Sequence, residues 1–167
     1  MTDQDPKAHY DAVLSVLNRV KETILEYRDE NALLQQVCQV LHKALAHDLV
    51  WITEIQEDGA FAHRALYDAT DPSLDGPSTV NRVTRDAIDR QALTIVDMTS
   101  GGRSRGAVRV TLDENTELLL GVSSGRPDGV EEGSLPLLSA LATDVSFAVE
   151  SIRMEERRER AEEALRI

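Results

Sequence analysis

The segment from Glu117 to Ile152 constrains the fold most strongly, because it joins a buried strand directly to a long helix. Its first residues read ELLLGV, and an apolar run of this kind indicates a strand covered on both faces. The next residues, SSGRPDG, are typical of a turn. Apolar residues then recur at helical spacing up to Ile152, so a sheet strand is followed by an amphipathic helix.

A second long helix is predicted over residues 8–28. Its apolar residues are spaced alternately three and four apart, which is a heptad pattern lasting about two and a half heptads. These residues are Tyr10, Val13, Leu17, Val20, Ile24 and Tyr27. Two interpretations stay open: a helix packed on its own domain, or the seam of a dimeric coiled coil. In the dimer, Leu138, Val145 and Ile152 of the last helix would join the interface.

Between these helices the pattern predicts another helix from about residue 31, strands over 49–55, 60–67, 93–96 and 107–112, and a crossover helix over 79–90. Residues 98–106, rich in Gly, Ser and Arg, are predicted to form a loop. The sum is an α+β fold with an antiparallel sheet of about five to six strands, with the terminal helices on one face. We expect an N-terminal helix over 1–29, a domain over 30–153 and a signalling-helix linker over 154–167, cut from a longer protein.

Composition limits the possible partners. The net charge is −12, and such an acidic surface repels nucleic acid and anionic membranes. No apolar run approaches the ~20 residues of a membrane helix, so a cytoplasmic domain is expected. The single cysteine, Cys38, excludes an internal disulfide and lies among apolar residues. The basic residues are 15 Arg and 3 Lys, a bias typical of halophilic proteins or simply of a GC-rich genome.

The order of elements and their residues resemble a GAF domain. The clearest match is LLLGVSSGRPDGVEEGSLPLLSALATDVSFAVESI, although Val130 stands where the family often has Phe. The stretches LLQQVCQVLHKAL and TVNRVTRDAIDRQALTIVDM also fit, except that the Gly that usually starts the crossover helix is missing. The resemblance covers about residues 30–153, and its closest form is that of haloarchaeal signalling proteins.

The resemblance implies a ligand site between the sheet and its covering helices. Cys38 does not match a bilin-type cysteine, the cyclic-nucleotide residues are absent, and one cysteine cannot support GAF-type methionine sulfoxide reduction. The candidate ligand-binding residues are Trp51, Tyr67, Arg103, Arg105, Arg109 and Ser123. Their arginines favour an anionic or carboxylated small molecule. The alternative is that these arginines pair with Asp97, Asp113 or Glu117. Trp51 is predicted to be a core anchor rather than a ligand platform.

The resemblance implies a sensory or regulatory module of a histidine kinase or transcriptional regulator. Such a module acts as a homodimer, as in two-component systems, and passes a signal through a helical bundle to a downstream PAS or kinase module. No catalytic set or metal-spaced cluster is evident in the sequence, so we expect no enzyme activity, no metal and no known cofactor. The alternative function is a ligand-free dimerisation or scaffold domain whose pocket has collapsed.

Overall fold

The structure, a computed structural model, describes residues 6–45, 47–68, 76–90, 94–98, 104–125 and 135–166. Over these ranges the elements follow the order α1 (Pro6–Glu26), α2 (Glu30–Leu45), β1 (Leu49–Gln56), β2 (Phe61–Asp68), α3 (Gly76–Asp89), β3 (Thr94–Met98), β4 (Ser104–Thr111), β5 (Thr116–Ser124) and α4 (Leu135–Leu165). Residues 126–129 of the predicted turn, Val130 and the candidate ligand residue Arg103 lie outside the described residues.

One five-stranded sheet organises the domain, with strand order β2-β1-β5-β4-β3. Every described strand pair is antiparallel. The α+β fold class is therefore confirmed, at the lower end of the predicted number of strands. The apolar run in β5 is long because β5 lies between β1 and β4 and is covered on both faces.

The two faces of the sheet carry different helices. Successive β1 side chains alternate, so that Val50 and Ile52 meet α1, α2 and α4 on the first face, whereas Leu49 and Trp51 meet α3 on the second face. This confirms the prediction that the terminal helices share one face. Helix α1 contributes Val16 and Val20 to the same core as α2 and α4.

The α4 helix is a core helix in its first half and a surface helix in its second half. Its buried side chains run from Leu137 to Val149, and residues 154–166 are exposed. An 18-residue window of α4, with mean hydropathy 1.4, is apolar enough for a membrane span by length and composition alone. Of that window, 39% is buried inside the domain, and Ser146 Oγ donates a hydrogen bond to Thr111 O at 2.6 Å.

The predicted boundary between the loop and β4 needs correction. Residues 104–106 belong to β4 rather than to a loop, because Ser104, Arg105 and Gly106 pair with β5 on one side and with β3 on the other. Tertiary pairing here outweighs the weak strand preference of Gly and Ser. Asp29 caps the start of α2, since its Oδ2 accepts a hydrogen bond from the backbone N–H of Ala32 at 2.8 Å.

Candidate ligand-binding site on the second face of the sheet

Strand register brings four of the predicted ligand residues onto the second face: Trp51, Arg105, Arg109 and Ser123. Leu49 and Arg105 are both paired with Ser123, from opposite sides of β5, and Asp97 of β3 occupies the register position opposite Arg105. In the next row of this face, Trp51 is paired with Gly121. Directly opposed side chains lie about 5 Å apart at Cβ, so Arg105 and Ser123 are neighbours.

Trp51 is the centre of the layer between the sheet and α3. Its side chain is fully buried, and the cluster around it includes Val80, Val83 and Ala87 of α3. Gly121 leaves room for the indole, because a Cβ at that position would overlap the six-membered ring of Trp51. Trp51 is therefore a core anchor, as the sequence predicts.

Polar atoms buried in this layer have unused hydrogen-bonding capacity. Trp51 Nε1, Thr84 Oγ1 and Ser123 Oγ are buried and have no hydrogen-bond partner in the described part of the chain. All three side chains belong to residues without exposed surface. A buried polar group without a partner costs free energy, so unpaired groups of this kind indicate a place where a ligand or an ordered water completes the hydrogen bonding. Thr84 was not among the predicted residues, although it interrupts the inward apolar stripe of α3.

Arg105 lies at the edge of this layer, in an open depression of about 580 Å³ against α3. Only 7% of its surface is exposed, and it already interacts within the protein. Arg109 is engaged differently: its Nε donates to Glu117 Oε2 at 2.9 Å and its Nη1 to the carbonyl oxygen of Ala87 at 2.9 Å. Arg109 therefore pairs with Glu117, as in the alternative to ligand binding that the sequence left open.

Tyr67 does not share this face, so its grouping with Trp51 is wrong. It is paired with Val50 and packs against the core on the helix-covered first face. Its ring stacks on His42, with centroids 4.1 Å apart, and His42 Nδ1 lies 2.6 Å from the carbonyl oxygen of His47. His42 is therefore half-buried.

The residues predicted for a dimer interface lie in different environments in the structure. Val20, Leu138 and Val145 are buried in the chain's own core, and Leu17 packs partly against it. The side chains of Tyr10 and Val13 lie outside the described residues. The other three members line an open groove between α1 and α4; they are Ile24, Tyr27 and Ile152.

This α1–α4 groove has a volume of about 770 Å³. Its apolar lining includes Leu25 and Phe147, whose surfaces are 84% and 78% exposed. Neither residue belongs to the predicted heptad seam. The groove is therefore the place where α1 and α4 leave apolar surface without cover in the described chain.

Cys38 is chemically quiet in this fold. It is fully buried in the first-face core, and burial raises the pKa of its thiol from 9.0 to about 12. The thiolate is the nucleophilic form of cysteine, so a buried and protonated thiol is unsuited to thiol exchange.

We therefore expect Cys38 in the native protein to react with a thiol reagent only as fast as the domain opens. The pKa of the thiol is higher in the folded than in the unfolded protein, so the folded state favours the protonated form. This contribution to the free energy of unfolding is complete below about pH 9 and is lost as pH rises toward 12. Urea unfolding at about pH 8 and about pH 10.5 should show a steeper loss for the wild type than for Cys38→Ala. Equal losses in both proteins, or rapid labelling of the native thiol, would contradict this prediction.

Comparisons with known proteins identify the fold. No family model matches the chain, and no curated protein matches it. Among solved structures, a GAF domain assigned to a sensor histidine kinase of Pseudomonas syringae pv. tomato aligns with a TM-score of 0.65 and 14% identity, over 90% of this chain and 95% of that one. A GAF domain from an Acinetobacter phosphoenolpyruvate-protein phosphotransferase aligns with a TM-score of 0.64 and 15% identity, over 87% and 97% of the two chains.

An enzyme is also structurally similar. The free methionine-R-sulfoxide reductase of Neisseria meningitidis, in complex with its substrate, aligns with a TM-score of 0.68 and 18% identity, over 86% of this chain and 91% of that one. These similarities establish a GAF fold. At such low identity they establish the fold alone.

Proposed function

We propose that this chain is a sensory or regulatory GAF module of a signal-transduction protein, and that it binds a small anionic or carboxylated molecule on the second face of its sheet. The observation that carries the proposal is the set of buried, unpartnered polar atoms of Trp51, Thr84 and Ser123 in the described layer below α3. The GAF domains among its structural neighbours, including that of the sensor histidine kinase, support the sensory part.

The chemistry of the site favours a ligand rich in acceptor oxygens. The indole N–H can only donate, each hydroxyl can donate, and Arg105 adds a positive charge at the edge of the same layer. Carboxylate and phosphate oxygens accept hydrogen bonds from such groups and pair well with a guanidinium.

The output element in this proposal is α4. Beyond Arg153 the described part of the helix is exposed, and its last 12 residues extend about 18 Å from the domain. Ion pairs along the helix surface support it, between Arg158 and both Glu155 and Glu162. We infer that α4 and α1 form a helical bundle with a second copy and lead to a downstream PAS or kinase module of a cytoplasmic protein. The haloarchaeal type stays a prediction from the arginine-using acidic surface.

The alternative is a ligand-free dimerisation or scaffold domain. The close packing of Trp51 under Val80, Val83 and Ala87 favours it, because these side chains fill much of the second-face layer. Catalysis is not part of either proposal. The sulfoxide reductase neighbour acts on its own substrate, whereas the one thiol of this chain is buried and protonated.

Native mass spectrometry of the protein purified from its own cells tests the ligand. We expect an added mass on the wild type and its loss in the double variant Thr84→Val, Ser123→Ala, because each substitution removes a hydroxyl with little change in side-chain volume. Thr143→Val is the matched control, since Thr143 is an exposed residue of α4 whose hydroxyl bonds to Ser139 O.

The same variants separate the alternatives. If no mass is bound, and the double variant raises the free energy of unfolding, the buried hydroxyls only destabilise the folded state. That result favours the scaffold function. If the double variant binds as the wild type does, the ligand lies elsewhere.

A further inference from the structure

A β-bulge on the edge strand β2 connects the two faces of the sheet. Ile52 of β1 is paired with Ala65, but the next residue, Thr53, is paired with His63. Arg64 is therefore the extra residue of the bulge. Successive strand residues ordinarily alternate between faces, but the bulge lets Arg64 contact the first face as its neighbour Ala65 does, whereas His63 contacts the second face.

His63 links β2 to the helix that covers the second face. Its Nδ1 lies 2.7 Å from Thr53 Oγ1, and its Nε2 lies 2.7 Å from Asn81 Oδ1 of α3. Thr53 is fully buried on β1. A neutral imidazole can donate through one nitrogen and accept through the other, so the contacts form one chain from β1 through His63 to α3.

Arg64 links the same strand to the first face. Its Nη1 donates to Glu54 Oε2 at 3.2 Å, and its Nη2 donates to Glu30 Oε1 at 2.9 Å. Glu54 is on β1, next to Thr53, and Glu30 is the first residue of α2. Asn31 Oδ1 also accepts from Arg64 Nη2, at 3.2 Å.

The same two carboxylates hold α4. Arg153 Nη2 donates to Glu30 Oε1 at 2.7 Å and to Glu54 Oε2 at 2.9 Å, and Arg153 Nε donates to Glu30 Oε2 at 3.1 Å. These carboxylates raise the pKa of Arg153 above its ordinary value. Glu30, Glu54, Arg64 and Arg153 form a compact ion-pair cluster whose side chains are 10–28% exposed. The cluster lies at the point where α4 leaves the described core, because residues 154–166 are exposed.

We propose that the bulge at His63 and Arg64 is the mechanical joint between α3 and α4. A shift of α3 moves Asn81 and therefore His63, and the adjacent Arg64 then changes the geometry around Glu54 and Glu30. Hydrogen bonds weaken steeply with distance and angle, so Arg153 and the exit turn of α4 respond to that change. The inference deepens the proposed function, since it names the route from a ligand layer under α3 to the output helix. The coupling itself exists with or without ligand.

The test uses NMR of the ligand-free protein. The side-chain Nε–H resonance of Arg153, assigned with Arg153→Lys, reports the cluster directly. We expect Asn81→Ala to shift this resonance and to speed amide exchange at residues 150–156 about three- to tenfold. Asn81 is exposed, so the substitution should leave the fold intact. Arg82→Ala is the matched control, because Arg82 is the next residue of α3 and is also exposed.

A second variant tests the same route at His63, the next residue after Asn81 along it. His63→Phe removes both ring hydrogen bonds of His63 and should change the Arg153 resonance in the same direction as Asn81→Ala. The proposal is overturned if both variants leave the Arg153 resonance and α4 exchange at wild-type values, or if Arg82→Ala changes them equally. Because no ligand or dimer is needed for these measurements, their outcome is independent of whether the ligand proposal fails.

Discussion

Replacing Gly121 by Ala should destabilise the domain by about 3 kcal/mol, although it adds only one methyl group. The added Cβ would overlap the rigid six-membered ring of Trp51, at carbons Cε2, Cζ2 and Cη2. The indole has little room to withdraw, because it is fully buried under α3. Close-packed interiors relax only partly, so the strain stays in the folded state.

Urea unfolding followed by fluorescence of Trp51, the single tryptophan, and by circular dichroism measures this effect. The matched background is Trp51→Phe, whose smaller ring leaves space at the position of the overlap. In that background, Gly121→Ala should cost about 2 kcal/mol less than in the wild type. A cost below about 0.5 kcal/mol in the wild type would show that the sheet opens to accept the methyl group.

The sequence was sufficient to predict the order of the helices and strands, because its strongest patterns are local. The run at Leu118–Val122 followed by a helical stripe predicts β5 and α4, and both are present. Tyr67 shows what local patterns do not predict. Which face a strand residue occupies depends on pairing register, and a shift of one residue reverses it. The sequence contains no marker for the pairing of Tyr67 with Val50 or for the bulge at Arg64.

The candidate site was partly predictable for the same reason. Trp51 and Ser123 stand out by residue type within apolar strands, whereas Thr84 looks like an ordinary helix residue until α3 is placed over the sheet. The ion-pair cluster was not predictable. Glu30, Glu54, Arg64 and Arg153 each resemble a surface charge, and only the packing of α2, β1, β2 and α4 brings them together.

The heptad pattern of α1 illustrates a different limit. An apolar seam has the same spacing whether it packs on its own domain or on a second copy. In the structure, Val20 of this seam is fully buried in the chain's own core. The apolar surface left for a partner is instead that of the α1–α4 groove, whose lining includes Leu25 and Phe147.

The distribution of charge along this groove favours a second copy of the chain as its occupant. The α1 side carries Lys21 and Arg28, and the α4 side carries a set of acidic residues: Asp144, Glu155, Glu156 and Glu159. In a two-fold dimer each subunit presents the same surface to the other, so α1 of one copy can face α4 of its partner. Basic and acidic sides then meet twice around a shared apolar centre, which favours self-association of an otherwise acidic protein.

Phe147→Glu should therefore weaken the proposed dimer about 100-fold, because buried aromatic anchors often carry most of an interface's binding energy. The free energy of unfolding of the monomer should change little, since Phe147 is 78% exposed. Leu66→Glu is the matched control: it introduces the same charge at an exposed apolar residue on β2, which is paired with Trp51 and so lies away from the groove. Sedimentation at micromolar concentration and about 0.15 M salt distinguishes the outcomes. A wild-type monomer, or equal weakening by both variants, would remove the groove as the dimer interface, whereas selective loss in Phe147→Glu would identify it.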